Sequence, residues 1–259
     1  MNDPAPLIVP RRFCGPESSG NGGWTAGALA ALVPHDCPDN RARSWPTIRV
    51  ALRQPPPLDT PMTVGEQDDS TVASFGGAVV ARATVVEEVP TTVDAVPADE
   101  ARAAMASYPG HASHPFPTCF ACGTERAEGD GLRIFPGPVS DQDGATRIAA
   151  TWTPHPSVGE DFHTYVDDLP RASLATTWAA LDCIGGWAGD LTDRLMVLAG
   201  MTARVDTLPV IGEEHVVVGL ACGREGRKTF TASTLYDADG RVVARAEHVW
   251  VAIDPTAFA

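Results

Sequence analysis

The sequence predicts an α+β chain built from two tandem halves, each an antiparallel curved sheet wrapped around one central helix. Three observations carry this. The phrase Val-Val-Ala-Arg-Ala occurs at Val79–Ala83 and returns at Val242–Ala246, 163 residues later. Upstream, Ala51–Leu58 aligns with Ala203–Val210 at an offset of 152. Further upstream, "GGWTAGALAALV" (22–33) matches "RASLATTWAALDCIGG" (171–186) in type. Internal repetition on this scale means one supersecondary unit used twice.

Residues 22–33 and 171–186 are rich in Ala, apolar and free of internal Pro, so each predicts a helix. "TIRVALRQPPPLDTPMTV" (47–64) and "MTARVDTLPVIGEEHVVVGLACG" (201–223) each give a β-like run, a Pro-bearing bend and a second β-like run. The closing strands, 78–89 and 241–253, follow turns marked by Gly76-Gly77 and Asp239-Gly240. Each half therefore reads helix, strand, strand, strand, with a short strand ahead. One such half leaves a sheet edge unpaired, and unpaired edges invite pairing. Two halves on one chain can pair edge to edge as a pseudo-dimer. The stretch 89–118 is rich in Pro, Ala and acidic residues, and predicts a linker with a short helix at about 98–107. The expected division is a first domain over 1–90, a linker over 91–118 and a second domain over 119–259.

At 259 residues the chain has room for two compact cores. A net charge of −14 disfavours a phosphate backbone as partner, so no nucleic acid is expected. No apolar run reaches the length of a membrane span, and the first residues carry no secretory pattern. A soluble, cytoplasmic protein with reduced cysteines is the expectation.

With these elements in place, the sequence resembles a known family. "CFACGTERAEGDGLRIFPGP" (119–138) is similar to the Cys-x-x-Cys-Gly…Gly-Leu opening of hotdog domains related to the PaaI-like acyl-CoA thioesterases. "WAALDCIGGWAG" (178–189) and "GREGRKTFTASTLYDADGRVVARA" (223–246) resemble the same group, and the likeness spans most of residues 13–253. It implies two tandem hotdog domains. In such thioesterases a His-Gly-Gly or similar turn starts the central helix and its backbone N–H binds the thioester carbonyl. An acid about nine residues on activates water or attacks directly.

Asn21-Gly22-Gly23 fits that turn in the first half, with Asn in place of His. A helix N-terminus offers free N–H groups and a positive dipole end to a developing oxyanion. Asn21 also suits plain N-capping. Nine residues on stands Ala30, so the first helix lacks the acid. The second helix has Asp182, nine residues after Ser173, and no Gly-Gly turn. Asp182 shares a helix face with Ala175, Trp178 and Ala179. A carboxylate on an apolar face is costly unless paired or used, and burial raises its pKa as a general base requires. In hotdog dimers the turn of one half meets the acid of the other, so the resemblance implies one composite site, Asn21, Gly22 and Gly23 from one half facing Asp182 from the other, and one degenerate site.

Trp24, Trp178 and Ser173 are the expected substrate contacts around it, with the tryptophans also suited to plain core packing. Arg224, Arg227 and Lys228, the last the only lysine, form the densest basic cluster past residue 60. They suit contacts to the phosphates of coenzyme A, or simply guard an edge strand. His111, His114, Cys119 and Cys122 have a spacing that could close on zinc. A single Cys-x-x-Cys is a weak signal, so the expectation is no metal, with the cysteines, Cys183 included, packed as small hydrophobes. No nucleophile elbow, P-loop or dinucleotide fingerprint is present.

The function expected is hydrolysis of an acyl-CoA-type thioester, in lipid metabolism, with no cofactor beyond the coenzyme A of the substrate. The alternative is a non-catalytic acyl-CoA- or fatty-acyl-binding protein with a degenerate site. A homodimer of double hotdogs is the expected assembly.

Overall fold

The computed structural model describes residues 5–34, 45–160 and 169–254. The first half supplies α1 (Gly22–Ala30), β1 (Ile48–Leu52), β2 (Thr63–Gln67), β3 (Ser70–Phe75) and β4 (Ala78–Val85). Next come α2 (Ala98–Ala104), β5 (Gly137–Pro138), β6 (Arg147–Trp152), β7 (Gly159–Glu160) and β8 (Arg171–Ala172). The second half ends with α3 (Leu174–Ala188), β9 (Met196–Val205), β10 (His215–Glu225), β11 (Lys228–Tyr236) and β12 (Val242–Ala252).

Ten strands form one sheet in the order β2-β3-β4-β1-β9-β12-β11-β10-β6-β5, every pair antiparallel. The order is a palindrome about the β1–β9 junction: β1, β2, β3 and β4 mirror β9, β10, β11 and β12. The strands that align in the repeat are the ones that meet there, with Ile48 opposite Ala203 and Ala51 opposite Gly200. Each half thus has four strands after its helix, one more than the sequence pattern suggested, because the Asp68-Asp69 and Gly226 turns each split what reads as one run. Gly76, Gly77 and Gly226 all adopt positive φ, which a side chain would disfavour. The strand ahead of the helix differs between halves. In the second it is β6, paired with β10; in the first it shrinks to bridges from Leu7 to Met62 and Val9 to Leu58.

Helices α1 and α3 pack against one another on the concave face of the sheet. Every residue of α3 is buried, so its apolar character runs all round rather than along one stripe. The larger core lies here, around Leu29, Ile48, Trp178, Leu181 and Ile184. A smaller core lies on the opposite face of the second half, where Val93, Val96 and Ala101 cover Ala149, Val216, Val218 and Tyr236. The linker segment is therefore a packed strap. Val93 N–H donates to Thr234 Oγ1 at 2.9 Å, and Tyr236 Oη donates to Val93 O.

Candidate functional site

Asn21 closes the N-terminus of α1. Its Oδ1 accepts from Trp24 N–H at 2.8 Å and its backbone carbonyl from Thr25 N–H at 3.0 Å. Capping leaves the Nδ2 amide free to point away from the helix. That amide donates to Asp182 Oδ2 at 3.0 Å, and Gly23 N–H donates to the same oxygen at 2.8 Å. The capping role and the site role of Asn21 are thus filled by different atoms of one side chain. Asp182 Oδ1 is buried with no hydrogen-bond partner. Burial pushes the Asp182 carboxyl up to about 7, against the opposing pull of the Gly23 and Asn21 donors.

A cavity of about 280 Å³ opens onto this pair between the halves, lined by Asn21, Gly22 and Asp182 at one end and by Leu52, Leu198 and Trp250 along its apolar wall. This is close to the lower end of small-molecule sites, about 300–1,000 Å³. The structure brings Asn21, Gly22, Gly23 and Asp182 together, but changes the part of Gly23. Its N–H, expected to polarise a carbonyl, is spent on Asp182. The free donor at the helix tip is Gly22 N–H, which has no acceptor among the described residues. The glycines have a second cause as well. A Cβ at position 23 would stand 2.4 Å from Asp182 Cβ, and one at position 27 would stand 2.7 Å from Trp178 Cβ. Gly23 and Gly27 lie four apart on one face of α1, so they let the two helices approach closely enough for the hydrogen bonds to form.

The other expected contacts lie elsewhere. Ser173 caps α3, its Oγ accepting from Thr176 N–H at 3.1 Å, and does not line the cavity, which α3 meets at Asp182 and Cys183. Trp178 is buried against Gly27, and Trp24 stacks on Phe13 with ring centroids 4.2 Å apart; neither lines the cavity. Both tryptophans obey packing, because their flat faces fill the volume that small residues leave beside them. Arg224 is tied to Gly189 O and Asp190, and Arg227 to Ala252 O. Together with Lys228 they flank the β10–β11 turn outside the cavity lining. The cation at the cavity is Arg53, exposed and without an acidic partner among the described residues. Its signal in the sequence was an arginine set between the β-like run 48–52 and the stiff Pro55-Pro56-Pro57.

The metal spacing is also redrawn. His111 packs on Tyr108 and Phe135, with ring centroids 5.1 and 5.2 Å away. The residue that joins Cys119 and Cys122 is Cys183: the three sulfurs lie within 4.8 Å of one another, buried, at the cavity wall. Cys37 lies outside the described residues. Among the described residues no helix is long and apolar enough to cross a membrane.

No family model matches the chain, and no curated protein matches it. Solved structures do. The tesB protein of Mycobacterium avium subspecies paratuberculosis is 10% identical, with 93% of this chain and 90% of that one covered and a TM-score of 0.55. A candidate thioesterase from Novosphingobium aromaticivorans is 13% identical over 98% of both chains, with a TM-score of 0.59. A conserved hotdog-fold protein of unknown function from Alicyclobacillus acidocaldarius is 14% identical, covering 95% and 91%, with a TM-score of 0.55. The chain is a double hotdog: the likeness runs through both halves.

Proposed function

We propose that the protein hydrolyses an acyl-CoA-type thioester at a single composite site between its halves. The observation that carries this reading is the pair of donors, Asn21 Nδ2 and Gly23 N–H, that fix one oxygen of Asp182 at the wall of an apolar cavity. Held so, Asp182 has one oxygen for orientation and one, Oδ1, for chemistry. A carboxyl poised near 7 takes and returns a proton at neutral pH.

In this reading the acyl chain lies along Leu52, Leu198 and Trp250, and the thioester oxygen faces Gly22 N–H. Asp182 acts as general base or as nucleophile. As base, it takes a proton from water while the water oxygen bonds to the carbonyl carbon. The tetrahedral intermediate, its oxyanion at the α1 tip, collapses with cleavage of the C–S bond. The proton returns from Asp182 to the departing sulfur, leaving a carboxylic acid and a thiol.

One observation favours the alternative, a non-catalytic acyl-CoA- or fatty-acyl-binding protein. The engagement of Gly23 N–H by Asp182 leaves one helix-tip donor where an oxyanion is best served by two. Thiol release measured over acyl-CoAs of graded chain length, beside a thermal-shift screen of the same compounds, separates them. Turnover with at least one chain length is expected. A rise in melting temperature without thiol release would select the binder.

A further inference from the structure

We infer that Cys119, Cys122 and Cys183 form a three-thiolate centre for one soft divalent cation, of which zinc is the best match, with its fourth coordination position open to the cavity beside Asp182. This inference stands apart from the thioester reading and does not need it.

The sulfurs come from two places and converge. Cys119 and Cys122 sit on a tight knuckle in which Gly123 N–H donates to Cys119 O at 2.8 Å. A Cβ at position 123 would stand 2.5 Å from both Cys119 O and Pro117 O, so the turn closes only with glycine there. Cys183 arrives from α3, 61 residues past Cys122 in sequence, and its Sγ lies 3.5 Å from Cys119 Sγ. Tetrahedral zinc with bonds of about 2.3 Å places its sulfurs about 3.8 Å apart, which lies inside the observed spread.

The surroundings of the three sulfurs are donors. Asn21 Nδ2 lies 3.7 Å from Cys119 Sγ and 3.8 Å from Cys183 Sγ. His114 Nε2 lies 3.1 Å from Cys122 O and 3.4 Å from Cys122 Sγ. His114 Nδ1 accepts from Phe116 N–H at 2.9 Å, so in the neutral ring the proton is on Nε2. His114 thus shares its Nε2–H between Cys122 O and Cys122 Sγ, and is a donor at the edge of this cluster rather than a fourth ligand. N–H groups turned on sulfur suit thiolates, and this is the outer shell that metal-bound cysteines require. Among the described residues no arginine or lysine is hydrogen-bonded to any of the three. Three buried thiolates without a cation would be prohibitively costly, and one divalent ion removes that cost as up to three thiol protons leave to solvent. Because all three cysteines also line the cavity, the remaining face of the ion looks into it. Three protein ligands and one open position is the pattern of an ion that meets a ligand, not of a closed structural site.

The test uses the full chain purified under reducing conditions with zinc supplied. Elemental analysis is expected to give one zinc per chain, kept in Cys222→Ser, whose thiol is exposed, and lost in Cys119→Ser and Cys183→Ser. Should those variants fail to fold, cobalt(II) titrated into the metal-free wild type decides. Thiolate-to-cobalt charge-transfer absorption and tetrahedral d–d bands are expected at one equivalent, and added azide is expected to shift the d–d bands. Absence of both zinc and charge-transfer absorption would overturn the centre, as would zinc retained in Cys183→Ser or a Cys119–Cys183 disulfide found in the reduced preparation. Bands unmoved by azide would refute the open position.

Discussion

Gly23 and Asp182 come from opposite halves of the chain, yet Gly23 N–H donates to Asp182 Oδ2 at 2.8 Å, and a Cβ on Gly23 would stand 2.4 Å from Asp182 Cβ. The same close approach serves packing and chemistry. Gly23→Ala is expected to force α1 and α3 apart, at a cost of about 1–3 kcal/mol for an overpacked contact. Thermal unfolding should show a drop of several degrees. Gly27→Ala meets Trp178 at 2.7 Å and should lose comparable stability. The two should differ in turnover: Gly23→Ala loses it because Asp182 loses its orienting donor, while Gly27→Ala retains most of it. Equal loss in both would make the Gly23 contact merely structural.

Arg53 is the cation at the cavity. Arg53→Glu is expected to raise KM for acyl-CoA roughly fivefold, about 1 kcal/mol for one exposed charge contact, with kcat nearly unchanged. Thioesters of a short neutral thiol should show no such rise. A KM that moves equally for both carriers would remove Arg53 from phosphate recognition.

His248 on β12 is buried with its ring against Gly185 of α3, and burial lowers its pKa to about 4, outweighing the raising effect of the Thr231 and Leu181 backbone and of Glu247. In the unfolded chain a histidine titrates near 6.5. Between those values the unfolded state binds a proton that the folded state refuses, so stability falls as pH drops from about 6.5 to about 4 and is unaffected above that window. The total from this one residue is on the order of 3 kcal/mol. Asp182, raised to about 7, slopes the opposite way over much of this range, so the quantity to read is the stability difference between wild type and His248→Gln across pH 4–7.5, which should fall as pH drops. A difference that stays constant would assign the acid sensitivity elsewhere.

The duplication was legible in the sequence because it leaves a local trace. Val79–Ala83 and Val242–Ala246 spell the same strand, and the Pro-bearing bends before them keep the same order. Asp182 was legible for a similar reason, since a carboxylate among Ala175, Trp178 and Ala179 breaks the expected apolar face. The role of Asn21 was visible in part: its capping oxygen follows from position, whereas its amide's partner lies 161 residues away. Cys183 packs in the core as its sequence setting suggested, but its meeting with Cys119 was not legible, because that depends on how α3 docks, which no local spacing encodes. Ser173 and Trp178 drew attention through helical spacing, but helix ends need caps and helix–helix seams need bulk, and those demands claimed them. The cluster at Arg224, Arg227 and Lys228 stood out by charge density alone. Its arginines satisfy carbonyls at the ends of α3 and β12, while the single Arg53 reaches the cavity.

The most direct measurement is thiol release by Asp182→Asn beside the wild type, on protein whose melting temperature and far-UV spectrum are checked first. Asparagine keeps an oxygen for Gly23 and Asn21 but cannot take a proton. A fall of about 10²- to 10⁴-fold in kcat with the fold intact is the expected result, in line with the loss of a general base. Turnover at the wild-type rate would contradict a catalytic carboxylate at the seam between the halves.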